Sequence, residues 1–397
     1  MNKHIRSLAT MASRPYRHVI GLMSGTSLDG LDIVFCKITG AGLLSRVEVI
    51  NFETIPYSEI IKQNIRKVFA KKEVDFPYLA MLHAWIGLHH AELVNDFIAK
   101  HHIPKDQIDF VASHGQTVMH VPQHQHKEQG FPNATLQIGD GDHLAVHTGL
   151  ITVSDFRQKH VAAGGEGAPL AVYGDYLLFS KAGEDRIMLN IGGIGNFTYL
   201  PGDGDASRVF VSDTGPGNTL MDAWMKTRRN MPYDKDAALA SKGTVNQSLL
   251  EALKSNHFFA LGSPKSTGPE IFNLTYVESA LAAYGITEID DQDMMATLNR
   301  LTAETIAEAI TNVVGKKQVE IFVSGGGWHN ILLINTLKEL LPSCTIASCD
   351  QLGISGDAKE AVLFAILANE TIAGNPIDFG NNRHIPSICM GKISFPN

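Results

Sequence analysis

The apolar positions of this chain follow two rhythms. Short runs rich in Val, Ile and Leu read as strands: "HVIGLM" and "LDIVFCKI" flanking residues 24–30, "RIMLNIGGIGNFTYL" at 186–200, and "VEIFVS" at 319–324. Helical spacing of apolar residues predicts helices over 79–100, 168–180, 219–227, 294–314 and 330–341. Strands alternating with helices predict an α/β architecture. Apolar strand followed by Gly-rich turn recurs at "VIGLMSGTS", "LNIGGIGNFT" and "FVSGGGWHN". In open α/β sheets, turns at strand ends are where ligands bind.

The first of these joins, "GLMSGTSLDGLD" at 21–32, has two readings. One is a hairpin turn, for which Asp29-Gly30 is a common pair. The other is an anion cradle of backbone N–H groups with the hydroxyls of Ser24, Thr26 and Ser27. In that second reading Asp29 and Asp32 offer the oxygen ligands that magnesium prefers.

Composition narrows the field. The 397 residues suffice for two or three domains, and 44% hydrophobic with 19% charged residues is an ordinary globular profile. A net charge of −8 argues against nucleic-acid or anionic-membrane partners. The four cysteines (Cys36, Cys344, Cys349, Cys389) show neither metal spacing nor disulfide density, which fits a reducing compartment. No apolar stretch approaches the roughly 18 residues of a membrane span. Residues 1–16 are basic without a continuous apolar run, so they read as a flexible extension rather than a secretory signal.

Histidines cluster at 114–126, but no carboxylate or Cys completes a metal site with His120, His124 and His126, which read as a solvated loop. His89, His90, His101 and His102 read as surface residues beside a helix. The chain has no G-x-x-x-x-G-K-[ST], no complete G-x-G-x-x-G, no G-x-S-x-G and no H-E-x-x-H. Nucleotide chemistry here needs another phosphate grip.

The ordered set of hydroxyl-rich hairpin, "LNIGGIGNFT" and "FVSGGGWHN" resembles the phosphate-1, phosphate-2 and adenosine motifs of the actin, sugar-kinase and Hsp70-like ATPases. Many of those proteins carry Asp on the first strand; "HVIGLMSG" has none, and Asn190 stands where an Asp is frequent in the second motif. The blocks "GLMSGTSLDGLD", "SHGQT", "LQIGD", "VSDFR", "AAGGEGAPL", "NIGGIGN", "DTGPGN" and "VSGGG", in this order, resemble the anhydro-N-acetylmuramic acid kinase family over nearly the whole chain.

The resemblance implies two duplicated RNase H-like α/β domains with a central ATP cleft. The first domain is expected over 17–160 plus 357–397 and the second over 161–356. It implies ATP held by Gly25, Thr26, Ser27, Leu28, Asp29, Gly30, Leu31, Asp32, Gly192, Gly193, Asn196, Gly325, Gly326, Gly327 and Asn330. Mg2+ is expected at Asp29, Asp32 and Glu360. The amino-sugar substrate is assigned to His114, Gln116, Asp155, Arg157, Gly165, Glu166 and Gly167. A homodimer and a cytoplasmic location are expected on the same ground. The sugar's O6 is bridged to C1, so water must attack C1 while O6 takes the γ-phosphoryl group.

Each assignment has a plainer alternative. Asp213, at the end of an apolar run, reads as the base that activates water or as a helix cap. Asp155 and Arg157 share one face if "SDFR" is extended. Arg157 then meets the lactyl carboxylate or forms an ordinary surface ion pair. Glu360 faces the metal or is a dipole-favoured acid in a first helical turn. The alternatives to the whole reading are a kinase for another amino sugar and a conformational ATPase of the same superfamily.

Overall fold

A computed structural model describes residues 1–380 and 385–397 of the protein. The chain forms two compact units, Met1–Phe179 with Gly353–Asn397, and Ser180–Leu352. The crossings thus fall at 179/180 and 352/353, whereas the sequence placed them at 160/161 and 356/357. The helix Ala171–Phe179 stays with the first unit because it packs on the helix Lys359–Ala373. That contact is close enough that a Cβ on Gly174 would lie 2.5 Å from Leu363.

The first unit contains β1 (Tyr16–Ser24), β2 (Gly30–Thr39), β3 (Arg46–Pro56), β4 (Phe110–Val121), β5 (Ala134–Ile138) and β6 (Thr152–Ser154). The second contains β7 (Arg186–Ile191), β8 (Ile194–Leu200), β9 (Phe210–Pro216), β10 (Glu320–Ser324) and β11 (Thr345–Ser348). The chain closes with β12 (Lys392–Ser394), back on the first sheet.

The two sheets share one topology. The first runs β12-β6-β4-β1-β2-β3 with β5 paired to β4; the second runs β11-β10-β7-β8-β9. In each, an antiparallel meander (β1-β2-β3, β7-β8-β9) is extended by parallel strands (β4 and β6, β10 and β11). This is the duplicated RNase H-like α/β plan. The continuous apolar runs of β1 and β7 are buried on both faces, as strands covered by helices on both sides must be.

The predicted helices form with their ends extended or trimmed: Phe76–Lys100, Thr219–Arg229, Asp291–Val314 and Ile331–Leu340. The N-terminal segment is not a loose extension. Lys3–Ser13 is a helix capped by the Asn2 side chain, and it buries Met11. His90 also departs from expectation, being 1% exposed with its ring stacked on Tyr57. Among the described residues, no helix is long and apolar enough to cross a membrane.

Candidate functional site

In the first unit, residues 24–30 join β1 to β2, as the hydroxyl-rich stretch implied. Ser24 is fully buried, while Thr26, Ser27 and Asp29 are exposed. The Asp29 carboxylate accepts from Ser27 Oγ at 2.6 Å, and Asp32 accepts from Thr54 Oγ1 at 2.6 Å. Leu28 and Leu31 are buried and anchor the loop in the core. A Cβ at Gly30 would sit 2.3 Å from the Ile55 carbonyl, so the fold itself demands glycine there.

Gly25 is different. A Cβ there would find its nearest neighbours at 3.7 Å. Neither packing nor backbone strain accounts for this glycine.

β4 runs beside β1 with one extra residue: Leu22 pairs with Ser113 and Ser24 with Gln116. The irregularity takes in Gly115, whose φ is +76°. The bulge re-aims the side chains of "SHGQT" toward the hairpin. Gln116 is completely enclosed; its amide donates to the carbonyls of Gly25 (3.0 Å) and Thr117 (2.9 Å) and accepts from Ser24 Oγ (2.6 Å). It is therefore placed to brace the hairpin, with no polar atom presented outward. His114 is buried, and burial holds its pKa well below the ordinary imidazole value, so the ring is neutral.

Arg157 lies in the short helix Phe156–Ala162, directly after β6. Its Nε donates to His114 Nε2 at 2.8 Å and Nη1 to the Gly167 carbonyl at 2.8 Å. Burial lowers its pKa to about 10, so the guanidinium stays charged. It is not the surface ion pair that "SDFR" allowed.

The extended face of that motif does not form. Asp155 turns the chain with φ +58°, and its carboxylate pairs with Lys392 at 2.9 Å, directed away from Arg157's partners. Glu166 meets His124 at 3.1 Å, which gives that histidine a partner. Gly165 is set by packing, since a Cβ would lie 2.2 Å from the His160 ring. Gly167 (φ +86°) donates its N–H to His160 Nδ1 at 2.9 Å.

In the second unit, Gly192 and Gly193 turn β7 into β8. Their carbonyls accept from the N–H groups of Asn218 and Gly217, both at 2.8 Å, which stitches the turn to the start of the helix Thr219–Arg229. Gly325 (φ +83°) and Gly327 are fold glycines: added Cβ atoms would lie 2.7 Å from the Ile191 carbonyl and 2.3 Å from Ile191 Cγ2. Added Cβ atoms at Gly192, Gly193 and Gly326 would meet nothing nearer than 3.7–3.8 Å, as at Gly25. Asn330 caps the helix Ile331–Leu340 by accepting from Leu333 N at 3.0 Å.

Asp213 lies within β9, opposite Asn196 of β8. The following helix takes Asn218 as its N-cap residue, so Asp213 does not cap it. One carboxylate oxygen, Oδ2, accepts from the Thr267 N–H at 2.7 Å. The loop that supplies this donor is pinned to β9 by Asp213 N to Lys265 O at 2.8 Å and Lys265 N to Ser212 Oγ at 3.2 Å. Burial raises the Asp213 pKa, the Thr267 N–H opposes the rise, and Glu270 adds to it.

Asp32 and Glu360 both have raised pKa values, first from burial; Asp29 and Asp357 then add to the rise at Asp32, and Asp32 and Asp29 to that at Glu360, while Arg157 pulls Glu360 the other way. These acids share one field. Even so, among the described residues no three His, Cys, Asp or Glu side chains form a group that could hold a metal ion. Asp29, Asp32 and Glu360 do not make a joint three-ligand cage. Sequence reasoning missed Tyr57, His90 and Thr267, because a buried Tyr or His and a loop N–H carry no local motif.

A family model described as anhydro-N-acetylmuramic acid kinase matches residues 17–384. Relatives bearing that name are 52% identical in Pseudoalteromonas atlantica and 51% in Pseudoalteromonas translucida, each aligned over the whole of both chains. Another, from Caldanaerobacter subterraneus, is 39% identical over 98% of this chain and 99% of its own. With a family match across nearly its full length and relatives this similar end to end, the chain belongs to the anhydro-N-acetylmuramic acid kinase family.

Proposed function

We propose that this kinase opens the 1,6-anhydro ring of 1,6-anhydro-N-acetylmuramic acid with water and transfers the γ-phosphoryl group of ATP to O6, in the recycling of cell-wall sugars. The observation that supports the mechanism best is Asp213: a partly buried carboxylate with one oxygen fixed by the Thr267 N–H and the other without a donor among the described residues. A base held in one orientation, with its pKa raised toward neutrality, suits proton removal from water. A water oxygen–C1 bond forms as C1–O6 breaks; Asp213 takes the water proton, O6 takes the phosphoryl group, and ADP leaves.

Gly25, Gly192, Gly193 and Gly326, none of them required by packing, are assigned to close approach of backbone to the nucleotide. Phosphoryl transfer then needs positioning and charge neutralisation above all. Arg157, charged and hung on two neutral acceptors, is assigned to the substrate's lactyl carboxylate.

The donor set fits Mg2+ held by one or two carboxylates plus waters and phosphate oxygens, with Asp29 and Asp32 as its protein side and Glu360 acting through their field. When bound, the ion offsets the charge of the transferring phosphoryl group. A cytoplasmic homodimer belongs to the same reading, and sedimentation tests the dimer.

Turnover in oxygen-18 water with mass spectrometry of the product tests the reaction itself. Label is expected at C1 and absent from O6, which comes from the bridge. Label in the phosphate, or none in the sugar, would sink the mechanism. ATP hydrolysis that ignores the sugar would favour a conformational ATPase instead.

A further inference from the structure

Behind the hairpin, four buried side chains form a continuous line. His90 Nε2 lies 2.8 Å from Tyr57 Oη, Tyr57 Oη lies 2.8 Å from Ser24 Oγ, and Ser24 Oγ lies 2.6 Å from Gln116 Oε1. None of the four is more than 4% exposed. They come from β1, the residue after β3, the helix Phe76–Lys100 and β4. We propose that His90, Tyr57, Ser24 and Gln116 are a one-way hydrogen-bond relay that positions the Gly25–Thr26 peptide so that its N–H meets the nucleotide phosphates. This rests on the hairpin being the phosphate site.

The direction follows from proton counting. The Gln116 amide faces two carbonyls, Gly25 at 3.0 Å and Thr117 at 2.9 Å, and only its NH2 can satisfy both. Its oxygen must then face Ser24, whose single hydroxyl proton goes to Gln116 at 2.6 Å rather than to the Gly30 carbonyl at 3.3 Å. Ser24 Oγ accepts from Tyr57, and Tyr57 in turn accepts from the His90 Nε2–H. The opposite His90 tautomer would reverse the Tyr57 and Ser24 hydroxyls and leave no proton between Ser24 Oγ and Gln116 Oε1. The imidazole therefore carries its proton on Nε2. Its Nδ1 is buried without a hydrogen-bond partner, an uncommon state in a core and the mark of a tautomer imposed from the far end.

The consequence reaches the loop through peptide geometry. In a planar trans peptide the C=O and N–H point in opposite directions. Gln116 holds the Gly25 carbonyl inward, so the Thr26 N–H is turned outward. Among the described residues no acceptor takes it. An outward backbone N–H in a loop free of Cβ crowding is an anion donor. Tyr57 and His90 act only through Ser24 and Gln116 and are positioning residues.

Three variants separate positioning from mere packing. Tyr57→Phe removes one link, His90→Leu removes the starting donor, and His90→Gln keeps an amide N–H in its place. Losing one hydrogen bond predicts an ATP KM raised about three- to tenfold in Tyr57→Phe and His90→Leu, with the sugar KM within about twofold of wild type. His90→Gln should recover most of the loss. Equal losses in His90→Gln and His90→Leu, an unchanged ATP KM in folded Tyr57→Phe, or a fall in melting temperature with both KM values moving together would each overturn the relay. Gly25→Val tells the two claims apart. If it loses ATP binding while Tyr57→Phe does not, the relay fails alone. If Gly25→Val binds ATP normally, the hairpin reading fails and takes the relay with it.

Discussion

Arg157 donates its Nε–H to Nε2 of His114 at 2.8 Å, so a buried guanidinium rests on a neutral imidazole rather than on a carboxylate. The second acceptor, the Gly167 carbonyl, is neutral too. Neither partner cancels the charge. Only the Glu360 field opposes it, and the remaining guanidinium nitrogen, Nη2, has no acceptor among the described residues. The His114 tautomer is fixed as well: Nδ1–H donates to the Gly115 carbonyl at 2.9 Å, which leaves the Nε2 lone pair for Arg157.

Arg157→Lys should therefore raise the sugar KM by about tenfold or more, because an ammonium cannot make the same fork of bonds. The ATP KM should move far less. Asp155→Asn is the matched control. Its partner is Lys392 in a solvent-facing pair, a kind of contact that contributes little, so activity should stay within about threefold. Steady-state kinetics with each substrate varied decides the matter. A larger loss from Asp155→Asn than from Arg157→Lys would reverse the assignment.

Asp213→Asn keeps an oxygen for the Thr267 N–H but cannot take a proton from water. A general base contributes on the order of 10²–10⁴-fold, so kcat should fall on that scale while both substrates still bind. In wild type, the acid limb of kcat should lie above the ordinary carboxylate range, because burial raises the Asp213 pKa. Turnover of Asp213→Asn within a few-fold of wild type would move the base elsewhere.

Neighbouring glycines should behave in opposite ways. Gly327→Ala puts a Cβ 2.3 Å from Ile191 Cγ2 and should cost about 1–3 kcal/mol of stability by overpacking. At Gly326 an added Cβ meets nothing nearer than Asn218 Nδ2 at 3.8 Å, so the melting temperature of Gly326→Leu should hold while its ATP affinity drops. Calorimetry and nucleotide titration on both proteins read this out. A Gly326→Leu protein with normal ATP affinity would remove that position from the nucleotide site.

Stability should fall as pH drops below about 6.5, where unfolded histidines begin to bind protons. Burial lowers the His90 pKa to about 3 and holds His114 well below its ordinary value. In that window the unfolded chain holds more protons than the folded one, so the slope of stability with pH is positive, up to about 1.4 kcal/mol per pH unit for each histidine. Urea midpoints between about pH 7 and pH 5 measure it. His90→Gln should flatten the slope; an unchanged slope would show that His90 does not stay neutral in the fold.

The sequence by itself determined the alternation of strands and helices, the three glycine-rich strand ends and the family. Those are local patterns: periodicity of apolar side chains, and residue types that suit turns. The strand at 18–23, the helix around 79–100 and the hairpin at 24–30 all follow from them. Tertiary structure decided the roles of individual side chains. Asp155 and Arg157 are two residues apart, yet the left-handed turn at Asp155 sends one to Lys392 and the other to His114. Gln116 reads as a ligand contact in "SHGQT" until the β4 bulge places it beside Ser24 and encloses it. His90 reads as a surface residue of a His-His pair, and only the packing of its helix against the sheet buries it next to Tyr57. Hydrogen-bond partners, burial and the pKa shifts they cause depend on residues dozens of positions apart. Chain pattern fixes which elements form, and the close packing of those elements fixes what each polar atom meets.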